Sequence, residues 1–186
     1  MTLPNQLSVL RIILSPVFLY LFLSEDKSMK IAGFVVYMIA SFTDWYDGWH
    51  ARRFGVITKT GIFLDPLADK ILVSFAFIAF YMLGIMPLWM MIVIVIRDIV
   101  ITLLRSYKES KGVTLKTSYI AKVKTFVQMT YVFLILLVIL LIALDINSQD
   151  FTNFLNSELN YILMLSVTLL TVYTGVTYFF ENKQSS

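Results

Sequence analysis

Asp44-Trp45-Tyr46-Asp47-Gly48-Trp49-His50-Ala51-Arg52, then eight residues, then Gly61-Ile62-Phe63-Leu64-Asp65-Pro66-Leu67-Ala68-Asp69, sets four carboxylates between long apolar runs. Acidic groups at membrane depth are costly and usually face a bundle interior or a watery cavity. Four that converge repel one another unless cations lie between them. The stretch therefore predicts a metal site within a lipid-embedded bundle.

The flanking sequence fits that frame. Of 186 residues, 59% are hydrophobic and only 15% charged, well outside the balance of a soluble domain. The apolar residues come in runs rather than stripes, which points to lipid as the solvent. No cysteine is present, so disulfides, thiol catalysis and Cys-type zinc or iron–sulfur sites are excluded. A single histidine, His50, argues against a His-rich metal site.

Six spans of roughly 20 residues are expected, at about 7–23, 31–51, 62–83, 88–105, 119–144 and 159–180. A short interfacial turn at 3–5 precedes the first. That first stretch is long, contains Arg11 and is followed by Glu25 and Asp26, so it reads as a mature helix and not a cleaved signal. Asp65-Pro66 is read as the entry to span three, where an early proline is tolerated. Residues 83–87 read as a tight turn.

Loop charges orient the bundle. Arg52, Arg53 and Lys59 lie between spans two and three; Arg105, Lys108, Lys111, Lys116, Lys122 and Lys124 lie between spans four and five. The loop at 145–158 carries Asp145, Asp150 and Glu158 and no basic residue. The positive-inside rule makes the two basic loops cytoplasmic, and an even span count puts both termini there. The expected fold is all-α: a single membrane domain over 1–186, a six-helix transmembrane bundle. Trp45, Trp49, Trp89 and Tyr107 fit an interfacial aromatic belt.

Asp44 and Asp47 are three apart near one end of span two; Asp65 and Asp69 are four apart near the start of span three. Either spacing puts a pair on one helix face. If the two helices are antiparallel neighbours, all four meet just inside the cytoplasmic surface. An all-oxygen donor set suits Mg²⁺ or Mn²⁺, and two ions can share it. Gly48, Ala51 and Gly61 leave room for a ligand or for close packing. Arg52 offers a planar fork of donors suited to phosphate.

The stretch has the pattern D-x2-D-G-x2-A-R-x8-G-x3-D-x3-D at every defined position. It resembles the signature of the CDP-alcohol phosphotransferases, integral-membrane enzymes with a six-helix core. The resemblance implies transfer of a substituted phosphate from a CDP-linked donor to an alcohol, with release of CMP. It implies one divalent ion on Asp44, Asp47 and Asp65, a second on Asp44, Asp65 and Asp69, and Asp69 as general base. Gly48, Ala51, Arg52, Thr58 and Gly61 would cradle the CDP moiety. Asn5 and Ser8 would contact the nucleotide, with helix capping as the alternative.

Residues 3–11, 65–70, Arg97-Asp98 with Leu104-Arg105, and 122–125 with Gln128 look like the bacterial phosphatidylglycerophosphate synthases. Asp98 departs from the glutamate expected in that group. The implied donor is CDP-diacylglycerol, the implied acceptor glycerol 3-phosphate, and the implied location the bacterial inner (cell) membrane, with the active site on the cytoplasmic face. A homodimer is implied, and no nucleic-acid partner. A phosphorylated acceptor needs a second basic pocket, for which Arg97, Arg105, Lys122 and Lys124 are candidates; the alternative for each is snorkelling to headgroups. Arg11 is expected to snorkel, and His50 to sit in a loop. Lys70 can pair with the aspartates or bind lipid phosphate. Competing readings are a cardiolipin or phosphatidylinositol phosphate synthase of the same family, a membrane prenyltransferase, and a transporter with an acidic ion path.

Overall fold

The computed structural model describes residues 3–54, 59–111 and 119–183; the side chains of 3–4, 44–54, 59–60, 62, 110 and 179–183 lie outside the described set. The described residues form helices and turns, with no strand among them. In chain order the helices are α1 (Leu3–Phe22), α2 (Lys27–Phe54), α3 (Lys59–Met82), α4 (Leu88–Ser110), α5 (Tyr119–Ala143), α6 (Ser148–Leu155) and α7 (Glu158–Lys183).

Six of these helices cover the stretches expected to be spans, with ends moved by a few residues. The seventh, α6, occupies the acidic connection that the sequence suggested was a loop. Its Ser-Gln-Asp-Phe-Thr-Asn-Phe-Leu stretch places Phe151, Phe154 and Leu155 at helical spacing, but eight residues are too few for that pattern to identify a helix. It is held by Phe154 and Leu155, which pack against the core. The expected turn at 3–5 is also absorbed into helix, since α1 begins at Leu3. Pro66 does not sit in the first turn: α3 begins at Lys59, so the proline lies inside the helix. Lacking an N–H, it leaves the carbonyl of residue 62 without its helical donor, one turn from Asp65.

Tight turns close the helix ends. Gly84 takes φ +73°, and Ile85 N donates to Phe80 O at 2.9 Å, the hydrogen bond of a left-handed helix cap. Asp145 does the same after α5 at φ 59°, with Ile146 N donating to Leu141 O at 3.0 Å. Beside it, the exposed Lys27 Nζ lies 2.5 Å from Asp145 Oδ2, tying the start of α2 to the end of α5.

Helix α1 is the wedge of the bundle. It packs against α2 and α3, which touch each other far less than either touches α1. Gly33 on α2 makes one of these contacts close: a Cβ there would stand 2.8 Å from Phe22 N. Helix α3 continues onto α4, and α4 and α5 both pack on α7. Phe18, Phe22, Tyr37, Phe77, Phe80, Tyr131 and Ile135 form the aromatic and aliphatic centre.

The polarity of the bundle is reversed relative to a soluble protein. On α1, Asn5, Ser8, Arg11 and Ser15 are buried, whereas Leu10, Ile13, Val17 and Tyr20 are exposed. On α7, Asn160, Thr168, Thr171 and Thr174 are buried and Leu169, Val172, Tyr173 and Val176 are exposed. Such an outer surface is stable against hydrocarbon and not against water. Among the described residues, three helical segments, Asn5–Phe22, Tyr119–Ala143 and Glu158–Tyr178, are long and apolar enough to cross a membrane. Helices α2, α3 and α4 are as long, but they carry the candidate-site charges that lower their apolar character.

Candidate active site

The aspartates lie on two helices. Asp44 and Asp47 belong to α2, and the placement of their side chains lies outside the described residues, as do those of Gly48, Ala51 and Arg52 and all of Thr58. Asp65 and Asp69 are described, one turn apart on α3 and partly exposed. Ser8, fully buried on α1, donates its hydroxyl to Asp65 Oδ1. Lys70 Nζ lies 2.9 Å from Asp69 Oδ2. The second oxygen of each carboxylate has no hydrogen-bond partner among the described residues, so both can still serve a cation.

Hard carboxylate oxygens with one oxygen each oriented by a neighbour fit a divalent ion bound through oxygen. Among the described residues no group of three or more candidate metal-ligating side chains is assembled, and the side chains of Asp44 and Asp47 lie outside that set.

Other expectations resolve differently. Lys70 pairs with the aspartate cluster. Arg11 does not snorkel: it is fully buried, and its Nε donates to Ala40 O at 3.3 Å across the α1–α2 contact. Its helix turns this position inward, on the same face as Ser8. His50 belongs to helix α2 and not to a loop, because α2 runs on to Phe54. Asn5 is buried near the start of α1, and Gly61 is buried on α3.

A second polar cluster lies among α4, α5 and α7. Asp98, 3% exposed, is its centre. Lys124 Nζ approaches Asp98 Oδ1 at 2.5 Å, Arg97 NH1 the same oxygen at 3.1 Å, and Gln128 Nε2 donates to Oδ2 at 2.9 Å. Arg97 NH2 donates in turn to Thr174 Oγ1 at 2.9 Å. Arg105 pairs instead with Glu109 at 3.0 Å on its own helix, and Lys122 is exposed. Of the four basic candidates, Arg97 and Lys124 meet on Asp98.

Sequence reasoning missed Gln128, Thr174 and Gly175 as members of this cluster. A signal existed on α7, where Thr168, Thr171 and Thr174 recur every three residues in an apolar helix.

The model of the CDP-alcohol phosphatidyltransferase family matches residues 1–175. A Bacillus subtilis protein named CDP-diacylglycerol–glycerol-3-phosphate 3-phosphatidyltransferase is 38% identical over 147 residues, covering 73% of this chain and 76% of the relative. A Mycobacterium tuberculosis protein named probable phosphatidylglycerophosphate synthase is 33% identical over 182 residues, covering 95% and 79%. A Rickettsia typhi protein bearing the same name as the Bacillus one is 31% identical over 183 residues, covering 95% and 94%. With the aspartate pattern complete and the match running through nearly the whole bundle, the chain belongs to the CDP-alcohol phosphatidyltransferase family.

Proposed function

We propose that this chain transfers the phosphatidyl group of CDP-diacylglycerol to glycerol 3-phosphate, giving phosphatidylglycerophosphate and CMP. The observation that carries the reading is the pairing of the complete aspartate signature with a second, cationic cluster one helix away. A CDP donor needs the first; an acceptor that brings its own phosphate needs the second.

In the proposed reaction, an acceptor hydroxyl oxygen forms a bond to the phosphorus that bears the diacylglycerol. The bond from that phosphorus to the oxygen bridging to CMP breaks, and CMP leaves with that oxygen. Asp69 takes the hydroxyl proton, the role of a positioned general base. Lys70, at 2.9 Å, holds one oxygen of Asp69 and so orients the carboxylate. Asp44, Asp47, Asp65 and Asp69 would hold two divalent cations, Mg²⁺ or Mn²⁺, which supply charge neutralisation on the diphosphate and the leaving group. Gly48, Ala51, Arg52, Thr58 and Gly61 would seat the nucleotide, with Asn5 at the edge of the site.

The acceptor anion is met by Arg97 and Lys124. These are two cations on one carboxylate, Asp98, so this cluster carries one positive charge over in a poorly solvated place. An anionic acceptor supplies the balance. Arg97 is the accessible member, its side chain 18% exposed against 2% for Lys124.

All six long helices are proposed to cross the bacterial cell membrane, with both termini and the site on the cytoplasmic side. The basic connections and the acidic 145–158 segment support this orientation. Because the chain has no cysteine, single cysteines placed at Lys111 and Asp150 can be labelled from either side of sealed vesicles. They are expected to react from opposite faces. The proposed homodimer rests on the family resemblance and is tested by the mass of the detergent-solubilised protein.

The deciding assay offers purified protein Mg²⁺, CDP-diacylglycerol and a panel of alcohols, and measures CMP. Release with glycerol 3-phosphate alone is expected. Release with phosphatidylglycerol or inositol phosphate instead would overturn the acceptor assignment. Chelation should stop turnover, and Mg²⁺ or Mn²⁺ should restore it.

A further inference from the structure

Arg97 is held from three sides, and one of them is an absence. Its NH1 meets Asp98 at 3.1 Å and its NH2 meets Thr174 at 2.9 Å. Its aliphatic stem lies over Gly175 of α7, where a Cβ would stand 3.2 Å from Arg97 Cγ and 3.4 Å from Nε. Nε itself is buried with no hydrogen-bond partner. Asp98 cannot drift, because Lys124 and Gln128 hold both its oxygens.

We infer that Asp98 and Gly175 are positioning residues for the acceptor: together with Thr174 they fix the guanidinium of Arg97 in one pose, so that the acceptor's anionic group meets a cation already oriented. Arginine has many rotamers, and an unrestrained one loses that freedom on binding each acceptor. A guanidinium locked by a carboxylate, a hydroxyl and a helix backbone has lost it beforehand. The inference rests on the reading of Arg97 as an acceptor-phosphate ligand and adds what sets its geometry. It also gives a reason for glycine at 175: the neighbouring side chain, and not the backbone conformation, requires it.

The sharpest variant is Gly175→Ala. Alanine favours helix more than glycine, so the fold is not weakened locally. The added methyl must displace the stem of Arg97 by a few tenths of an ångström, and Asp98 and Thr174 prevent a free escape. With full-length enzyme in detergent, CDP-diacylglycerol saturating and glycerol 3-phosphate varied, the KM for glycerol 3-phosphate should rise about tenfold, given that misplacement by 1 Å costs on the order of a hundredfold. The KM for CDP-diacylglycerol should stay within about twofold, since the donor meets other residues. Asp98→Asn should raise the same KM, and Asp98→Glu, which keeps the charge, should recover most of it.

Arg97→Lys separates the two levels of argument. If it raises the KM for glycerol 3-phosphate while Gly175→Ala leaves it at the wild-type value, the acceptor pocket stands and the positioning role is overturned. If neither variant moves that KM, the pocket assignment falls and takes the inference with it. Equal rises in the KM values of donor and acceptor for Gly175→Ala would mean general distortion, and would also overturn it.

Discussion

Removing the charge of Asp98 should destabilise the bundle more than any comparable change at its surface. The carboxylate accepts from Lys124 at 2.5 Å, from Arg97 at 3.1 Å and from Gln128 at 2.9 Å, and it is almost completely buried. Asp98→Asn keeps the shape and leaves two cations facing a neutral amide. Breaking a buried ion pair by deleting one partner costs about 3–5 kcal/mol. At about 2–4 °C per kcal/mol for a chain of this size, the melting temperature in detergent should fall by roughly 6–20 °C. The loss should be recoverable: Asp98→Asn combined with Lys124→Met removes both charges of the tightest pair, a change that is often near neutral. The two substitutions are therefore expected to be non-additive by about 0.5–3 kcal/mol. Thermal unfolding followed by far-ultraviolet circular dichroism measures all four corners of the cycle. A single variant that melts within about 2 °C of wild type, or a double variant that loses the sum of the two singles, would refute the account of Asp98 as the keystone of the cluster.

Other expectations follow from the same contacts. Asp69→Asn should lower kcat by about 10²–10⁴ while CDP-diacylglycerol still binds; turnover near the wild-type rate would remove Asp69 as the base. Ser8→Ala deletes the hydroxyl that orients Asp65, so half-maximal activity should need about 10–100 times more Mg²⁺, read from a metal titration of CMP release. Gly33→Ala drives a methyl to 2.8 Å from Phe22 N, a backbone atom that cannot swing aside. Overpacking of this kind costs about 1–3 kcal/mol, so it should lower the melting temperature, whereas Gly175→Ala should not.

The helices were legible because apolar runs of bilayer length are a strong, local signal. The four aspartates were legible because their spacing and cost are local too. What escaped depends on which helix faces which. Arg11 looks like any arginine near a span end, yet the α1 wedge turns it inward with Asn5, Ser8 and Ser15. Lys124 reads from sequence either as an acceptor-phosphate ligand or as a snorkelling lysine, and its contact with Asp98 depends on how α4 and α5 face each other. Lys70 had two readings from sequence, and its 2.9 Å contact with Asp69 selects one. Helix α6 was missed because its apolar pattern, Phe151, Phe154 and Leu155 at helical spacing, runs over only eight residues, too few to stand out from a loop before its contacts with the core are seen.

The cluster on α4 also bears on how the chain is made. Arg97 and Asp98 emerge from the ribosome well before the groups that satisfy them: Lys124 and Gln128 follow Asp98 by 26 and 30 positions, and Thr174 follows Arg97 by 77. An arginine and an aspartate at the middle of a lone span each cost about 2.5–3.5 kcal/mol on insertion scales. The Leu, Ile and Val residues of the helix return about 0.3–0.6 kcal/mol each, so in the proposed six-span arrangement α4 is only marginally held in lipid when it is synthesised. Its hold becomes firm when α5 and then α7 arrive. Biogenesis is thus coupled to completion: a chain stopped after α5 is expected to be cleared faster than the full chain in a pulse-chase experiment, and equal lifetimes would argue that α4 settles without its later partners.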